Sequence, residues 1–268
     1  MMRRHQHEPF RDSHQRGLRP MSRNFQLMQQ LEIDSSLAVS GAINPPLSRL
    51  EELPIQSGNK RWASDEALSL VQRVFLPQSA TSPRMVVFAG VNPGDGCTGF
   101  CASVTDTLAQ NGLGPVCIVD ANFRSPSLHR LFGTANHRGL ADALLRDGPI
   151  TSFAKPVGAE SMWLLTSGAR AFESANLLST DRAKARFDEL RDEFSLIVID
   201  TPPLTKYTDA LAVGQLADGL VLVLEAETTR REAAQGAVST LRSTNIPILG
   251  AVLNKRTFPI PAPIYKLL

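Results

Sequence analysis

A doubly wound α/β domain with a mostly parallel sheet is the fold class this sequence predicts, and three observations carry it. Six short apolar runs recur from residue 85 onward: MVVFA (85–89), PVCIVD (115–120), SMWLLTSG (161–168), SLIVID (195–200), GLVLVLEA (219–226) and ILGAVLN (248–254). They are aliphatic or β-branched almost throughout and too short for buried helices. Strands apolar on both faces belong in a parallel sheet covered on both sides. The stretches between them, about 97–111, 139–146, 181–193, 208–216 and 229–243, have the length of crossover helices. Ligands of such sheets bind beyond the carboxyl ends of the strands, so the loops after Ala89, Val119, Ile199 and Leu253 are where chemistry is expected.

Ahead of the first strand, SDEALSLVQRVFL (64–76) predicts a helix. Ser64 or Asp65 can cap it, and Leu68, Val71, Val74 and Phe75 are placed on its apolar face. Residues 1–61 show weak periodicity and many breakers, among them NPPLSR and LPIQSGN, and read as an extension without a fold of its own. Its first 23 residues carry six Arg against Glu8 and Asp12, a basic start that reads as a solvated tail. Met21 offers an alternative start. Residues 257–268 form a short tail.

The bulk numbers set outer limits. The 268 residues suffice for one large α/β domain with extensions, and 43% apolar with 20% charged is ordinary for a globular chain. A net charge of +2 argues neither for nor against nucleic acid. No run approaches the roughly 20 apolar residues that span a bilayer, and no apolar leader follows the N-terminus. The three cysteines, Cys97, Cys101 and Cys117, make no disulfide framework and suit a reducing compartment. Cys97 and Cys101 stand one helical turn apart with no further Cys or His nearby to complete a zinc site, and Cys101 and Cys117 read as small apolar core residues. These observations point to a soluble cytoplasmic protein.

Three loops carry the chemical signal. GVNPGDGCTG (90–99) follows the first strand and opens the next helix. Backbone N–H groups freed by Gly94, Gly96 and Gly99, aimed by a helix N-terminus, make an anion cradle. Thr98 stands where a hydroxyl ligates Mg²⁺. In the second loop, Asp120 closes a strand, where its carboxylate can order a Mg²⁺-bound water or act as general base. In the third, Asp200 also ends a strand and can hold Mg²⁺ through water, followed by the rigid pair Pro202–Pro203. Each loop alone has a plainer reading, a strand-to-helix turn or a turn-capping Asp; their order at successive strand ends is the signal.

With those residues in place, the chain from about 62 to 256 resembles the cytoplasmic P-loop domain of bacterial tyrosine kinases (the CpsD/CapB and Wzc group), within the MinD/ParA-like ATPase class. PGDGCT resembles a Walker A, CIVDANFRSPSLHRLF a Walker A′ and LIVIDTPPLTKYTDA a Walker B. Asp120, Arg124, Pro126 and His129 match the Walker A′ pattern, and Asp200, Pro202, Pro203 and Asp209 the Walker B stretch. The resemblance implies a P-loop NTPase fold with ATP or ADP and Mg²⁺ as cofactors. Pro93, Gly94, Asp95, Gly96, Cys97, Thr98, Arg124 and Asn254 would contact nucleotide, Asn254 at the adenine edge. Thr98, Asp120 and Asp200 would serve the metal, and Asp120 and Asp200 the catalysis. It further implies a role in capsular or exopolysaccharide synthesis and export, at the inner face of the cell membrane. The implied partners are a membrane-embedded polysaccharide co-polymerase or chain-length regulator and further copies of this chain or an active homologue; no nucleic-acid partner is expected.

Four departures from the pattern shape the functional expectation. Cys97 replaces the Walker A lysine, whose charge-assisted bond contributes roughly 1.5–3 kcal/mol and whose loss from a transition state costs on the order of 10²–10³ in rate. A thiol at a helix N-terminus is expected to have a lowered pKa, and a thiolate would repel phosphate. Asn122 replaces a second aspartate. Glu66, Ser69 and Gln72 stand where the family has Glu-x-x-Arg-x-x-Arg, its intersubunit contact. Only Tyr207 and Tyr265 are present in place of a C-terminal tyrosine cluster. Lys206, just after the prolines, is a candidate substitute cation, though a surface lysine is its plainer reading. The preferred expectation is a degenerate, pseudoenzyme-like member of the family. An active protein-tyrosine kinase and a MinD/ParA-type positioning ATPase are the alternatives.

Overall fold

In the computed structural model, the described residues are 65–76, 82–158, 161–169 and 172–256. The N-terminal extension 1–61, Ser64 and the tail with Tyr265 lie outside them.

Among the described residues seven strands form one sheet: β1 (Met85–Gly90), β2 (Val116–Asp120), β3 (Lys155–Pro156), β4 (Met162–Leu165), β5 (Leu196–Thr201), β6 (Gly219–Glu225) and β7 (Ile248–Asn254). Their spatial order is β3-β4-β2-β5-β1-β6-β7. Every pairing is parallel except β3 with β4, an antiparallel edge of two residues. All six residues of β1 and of β5 are buried, as strands covered on both faces require.

Side chains alternate across the sheet and feed two cores. Val86 and Phe88 of β1 and Val221 and Val223 of β6 face α1 (Asp65–Val74), α2 (Cys97–Gln110) and α3 (Leu128–Leu131). Met85, Val87 and Ala89 face the other side, with Leu220, Leu222 and Leu224. That second core is closed by α4 (Leu140–Leu145), α5 (Asp181–Glu193), α6 (Asp209–Gly214) and α7 (Arg231–Ser243). The predicted doubly wound architecture is the one observed. Thr180 caps α5, its hydroxyl accepting the Ala183 N–H at 3.3 Å.

Local differences have local causes. On α1 the buried positions are Ala67, Leu70, Val71 and Val74, an i, i+3, i+4, i+7 stripe, while Leu68 is 38% exposed. The predicted strand over 161–168 ends at Leu165. Beyond it, the Thr166 and Ser167 carbonyls accept N–H groups from Leu140 and Ala141 at the start of α4. That loop serves a helix terminus rather than a neighbouring strand. β3, α3 and the 3-10 helices Ile150–Ser152 and Phe172–Ser179 carry no periodic pattern long enough to predict them.

Candidate nucleotide and metal site

The carboxyl ends of β1, β2, β5 and β7 lie along one edge of the sheet, and the residues singled out in the three loops gather there. β2 and β5 pair in register so that Asp120 stands beside Asp200. Both are fully buried.

Backbone conformation shapes the loop after β1. Gly94 has φ 95° and Gly96 φ 83°, a left-handed region that other residues rarely adopt. Gly96 is the N-cap of α2, and a Cβ there would collide with Asn254 Nδ2. Asp95 is 2% exposed and staples the loop from within. Its Oδ2 accepts the Asn92 N–H at 2.7 Å, and its Oδ1 accepts the Thr229 hydroxyl at 3.1 Å. Pro93 and Gly94 are exposed at the tip. The segment after Pro203 closes the loop's base: Leu204 N donates to Gly90 O at 3.0 Å and Thr205 N to Val91 O at 3.2 Å.

The far wall comes from β7. Asn254 Nδ2 donates to Asp95 O at 2.9 Å, and Lys255 Nζ donates to Gly94 O at 2.6 Å while pairing with Glu225 at 3.2 Å. Lys255 was missed in the sequence, where it is one more cation after a strand; its signal was its place directly behind Asn254. Lys206, the substitute considered there, is exposed on the segment after the prolines.

Thr98 donates its hydroxyl to Asp200 Oδ2 at 2.6 Å, and Cys101 Sγ approaches Asp200 Oδ1 at 3.8 Å. Asp120 is held by backbone: Oδ1 accepts the Asn122 N–H at 3.2 Å, and Oδ2 those of Ser127 and Leu128 at 3.2 and 3.1 Å. Burial pushes both carboxyls above the usual range, and for Asp120 the neighbouring Asp200 charge adds to it. Among the described residues no ion pair includes either.

Arg124 does not stand loose at this edge. It bonds Asp209 at the start of α6, Nη2 to Oδ1 at 3.3 Å, and its guanidinium lies 5.1 Å from the centre of the Tyr207 ring. An open cleft of about 380 Å³ beside the loop is lined by Thr98, Gly99, Ser127, Arg130 and Leu131. His129, on α3, keeps its Nδ1 buried with no hydrogen-bond partner among the described residues.

Cys97 corrects one expectation. Its hydrogen bond with Cys101 pulls its pKa down, but burial and the Asp200 charge outweigh that bond and raise it. Desolvation beside a carboxylate defeats the helix N-terminus here. At position 97 this direction favours the neutral thiol. Cys101 and Cys117 are buried as expected, and burial raises both thiols.

The chain is 30% identical over 171 residues to the tyrosine-protein kinase YwqD of Bacillus subtilis, a match that covers 64% of this chain and 72% of that one. The chain belongs to the bacterial tyrosine-protein kinase family. CapB of Staphylococcus aureus is 25% identical over 208 residues, 78% of this chain and 91% of CapB. Among solved structures, the chimerical protein CapA2B2 superposes with a TM-score of 0.66 at 25% identity, over 72% of this chain and 84% of that one. No protein-family model matches the chain. The same fold occurs in a cobyrinic acid a,c-diamide synthase from Mycobacterium smegmatis solved with an ATP analog and magnesium (TM-score 0.55, 22% identity, 65% of this chain and 77% of that one). Among the described residues no helix is long and apolar enough to cross a membrane.

The residues present fit a magnesium nucleotide in their oxygen donors. A hydroxyl and a carboxylate already meet at 2.6 Å, and two buried carboxylates have no ion-pair partner among the described residues. Hard oxygen donors of this kind are what Mg²⁺ takes. At position 97 the fit departs, because a neutral thiol brings no charge to a phosphate.

Proposed function

We propose that this chain is a nucleotide-binding member of the bacterial tyrosine-kinase family whose phosphoryl transfer is impaired, and that it works in capsular or exopolysaccharide synthesis and export. One observation carries the impairment: the side chain at the head of α2 is a thiol, whose sulfur lies within 4.8 Å of Cys101 Sγ and an Asp200 carboxylate oxygen.

In this reading residues 62–256 are the ATPase-like domain, with 1–61 an extension and 257–268 a tail. The amides of Pro93–Thr98, excepting the proline, wrap the phosphates from the helix N-terminus. Gly94 and Gly96 set that curvature. Cys97 contributes its backbone N–H but no side-chain charge. Asn254 meets the adenine edge and also braces the loop through Asp95 O. Arg124 approaches the nucleotide after exchanging part of its contact with Asp209. Thr98, Asp120 and Asp200 hold Mg²⁺, which when bound neutralises phosphate charge. Asp200 orients the Thr98 hydroxyl, and Asp120, locked by three backbone N–H groups, is the positioned proton acceptor. The proposed setting is the inner face of the membrane, beside a membrane-embedded polysaccharide co-polymerase, with further copies of this chain or an active homologue.

A second reading, an active tyrosine kinase, is favoured by Lys255, whose ammonium already touches the loop at Gly94 O. Titration of fluorescent ATP and ADP with Mg²⁺ into wild type, Cys97→Lys and Lys255→Ala separates the two. The impaired reading expects saturable binding that Cys97→Lys strengthens about tenfold or more. Equal affinity of wild type and Cys97→Lys, with binding lost in Lys255→Ala, favours the active reading.

A further inference from the structure

In the nucleotide site proposed above only the backbone N–H of Cys97 takes part, which leaves the thiols of Cys97 and Cys101 at the start of α2 without a role. Cys97 and Cys101 are four residues apart and so share one helical face. That face meets the end of β5. Both sulfurs and a carboxylate oxygen of Asp200 lie within 4.8 Å of one another. Cys101 Sγ approaches Asp200 Oδ1, leaving Oδ2 to Thr98.

The cluster adjoins a pair of buried carboxyls with no counter-charge among the described residues. Asp120 and Asp200 stand in register, fully buried, and no ion pair among the described residues reaches them. Buried charge of one sign is costly unless a counter-charge or metal joins it. At position 97 the chain carries no cation of its own.

We propose that Cys97, Cys101 and Asp200 form a binding site for a thiophilic divalent cation of the zinc class. Two sulfurs and one oxygen make a donor set that Mg²⁺ avoids and Zn²⁺ favours. A tetrahedral ion with Zn–S bonds of about 2.3 Å holds its sulfurs about 3.8 Å apart. The three donors, already inside 4.8 Å, close on it by small side-chain rotations. Cys101 and Asp200 are buried, but Cys97 is partly exposed, so an ion can enter from that side and keep water in its fourth position. Binding releases the two thiol protons to solvent. The inference needs no nucleotide and stands apart from the proposed function. It does share Asp200 with the magnesium site, so the two ions compete.

The test is a Co²⁺ titration of the full chain, reduced with a phosphine and free of nucleotide. The expected result is one equivalent showing a sulfur-to-cobalt charge-transfer band with tetrahedral ligand-field bands, bleached by Zn²⁺. Cys97→Ala, which changes a partly exposed residue, should lose the charge-transfer band with an unchanged circular dichroism spectrum, while Cys117→Ala should keep it. Histidines of the N-terminal segment give no sulfur band, so they cannot imitate the signal. Absence of the band in wild type, or its survival in Cys97→Ala, overturns the proposal.

Discussion

Thr98 donates its hydroxyl to Asp200 at 2.6 Å, tying the first turn of α2 to the last residues of β5. This bond joins the phosphate loop to a carboxylate pair that has no cation partner among the described residues.

Stability should respond to pH through Asp120 and Asp200. Their folded pKa values are raised, so between the ordinary carboxylate range and the raised values the folded chain binds more protons than the unfolded one. The contribution of this pair to stability therefore falls as pH rises through that window. Asp200→Asn in EDTA should gain on the order of 1 kcal/mol at pH 8 and less at pH 5, because it removes one buried charge. Thermal melts at the two pH values check the sign; a loss of similar size at both would contradict it.

Gly96→Ala should be damaging twice over. The residue holds φ 83°, and an added Cβ meets the Asn254 amide that braces the loop. The expected cost is roughly 1–3 kcal/mol in a denaturant titration, with nucleotide affinity lost as well. Asn254→Ala alone should leave the fold intact and weaken binding.

Arg124→Ala leaves Asp209 buried without its ion-pair partner, since that carboxylate is 3% exposed against 26% for the guanidinium. A loss of roughly 1–3 kcal/mol is expected, partly recovered in Arg124→Ala with Asp209→Asn. A double-mutant cycle measures the coupling; additive effects would show that the pair does not communicate.

The sheet was legible because β1, β2, β5 and β6 are apolar on both faces, a pattern only a doubly covered strand needs. The three loops were legible because strand-ending Asp120 and Asp200 mark one edge in any such fold. What escaped depended on packing. β3 pairs through two residues, one of them a proline, and has no period to read. The pKa direction at Cys97 follows from its burial in the folded chain, to which the charge of Asp200, more than a hundred residues away in sequence, adds, and not from its helix position. Lys255 lies on the phosphate loop only because β7 runs beside β6 and ends there.

Phosphoryl transfer tests the central claim most directly. Wild type and Cys97→Lys, each with Mg·ATP, are assayed side by side for ATP hydrolysis and for phosphotyrosine on the full chain. The account predicts little turnover in wild type and a rise on the order of 10²-fold or more in Cys97→Lys. Equal turnover in both proteins would contradict it, because a neutral thiol at the head of α2 would then be no obstacle to using ATP.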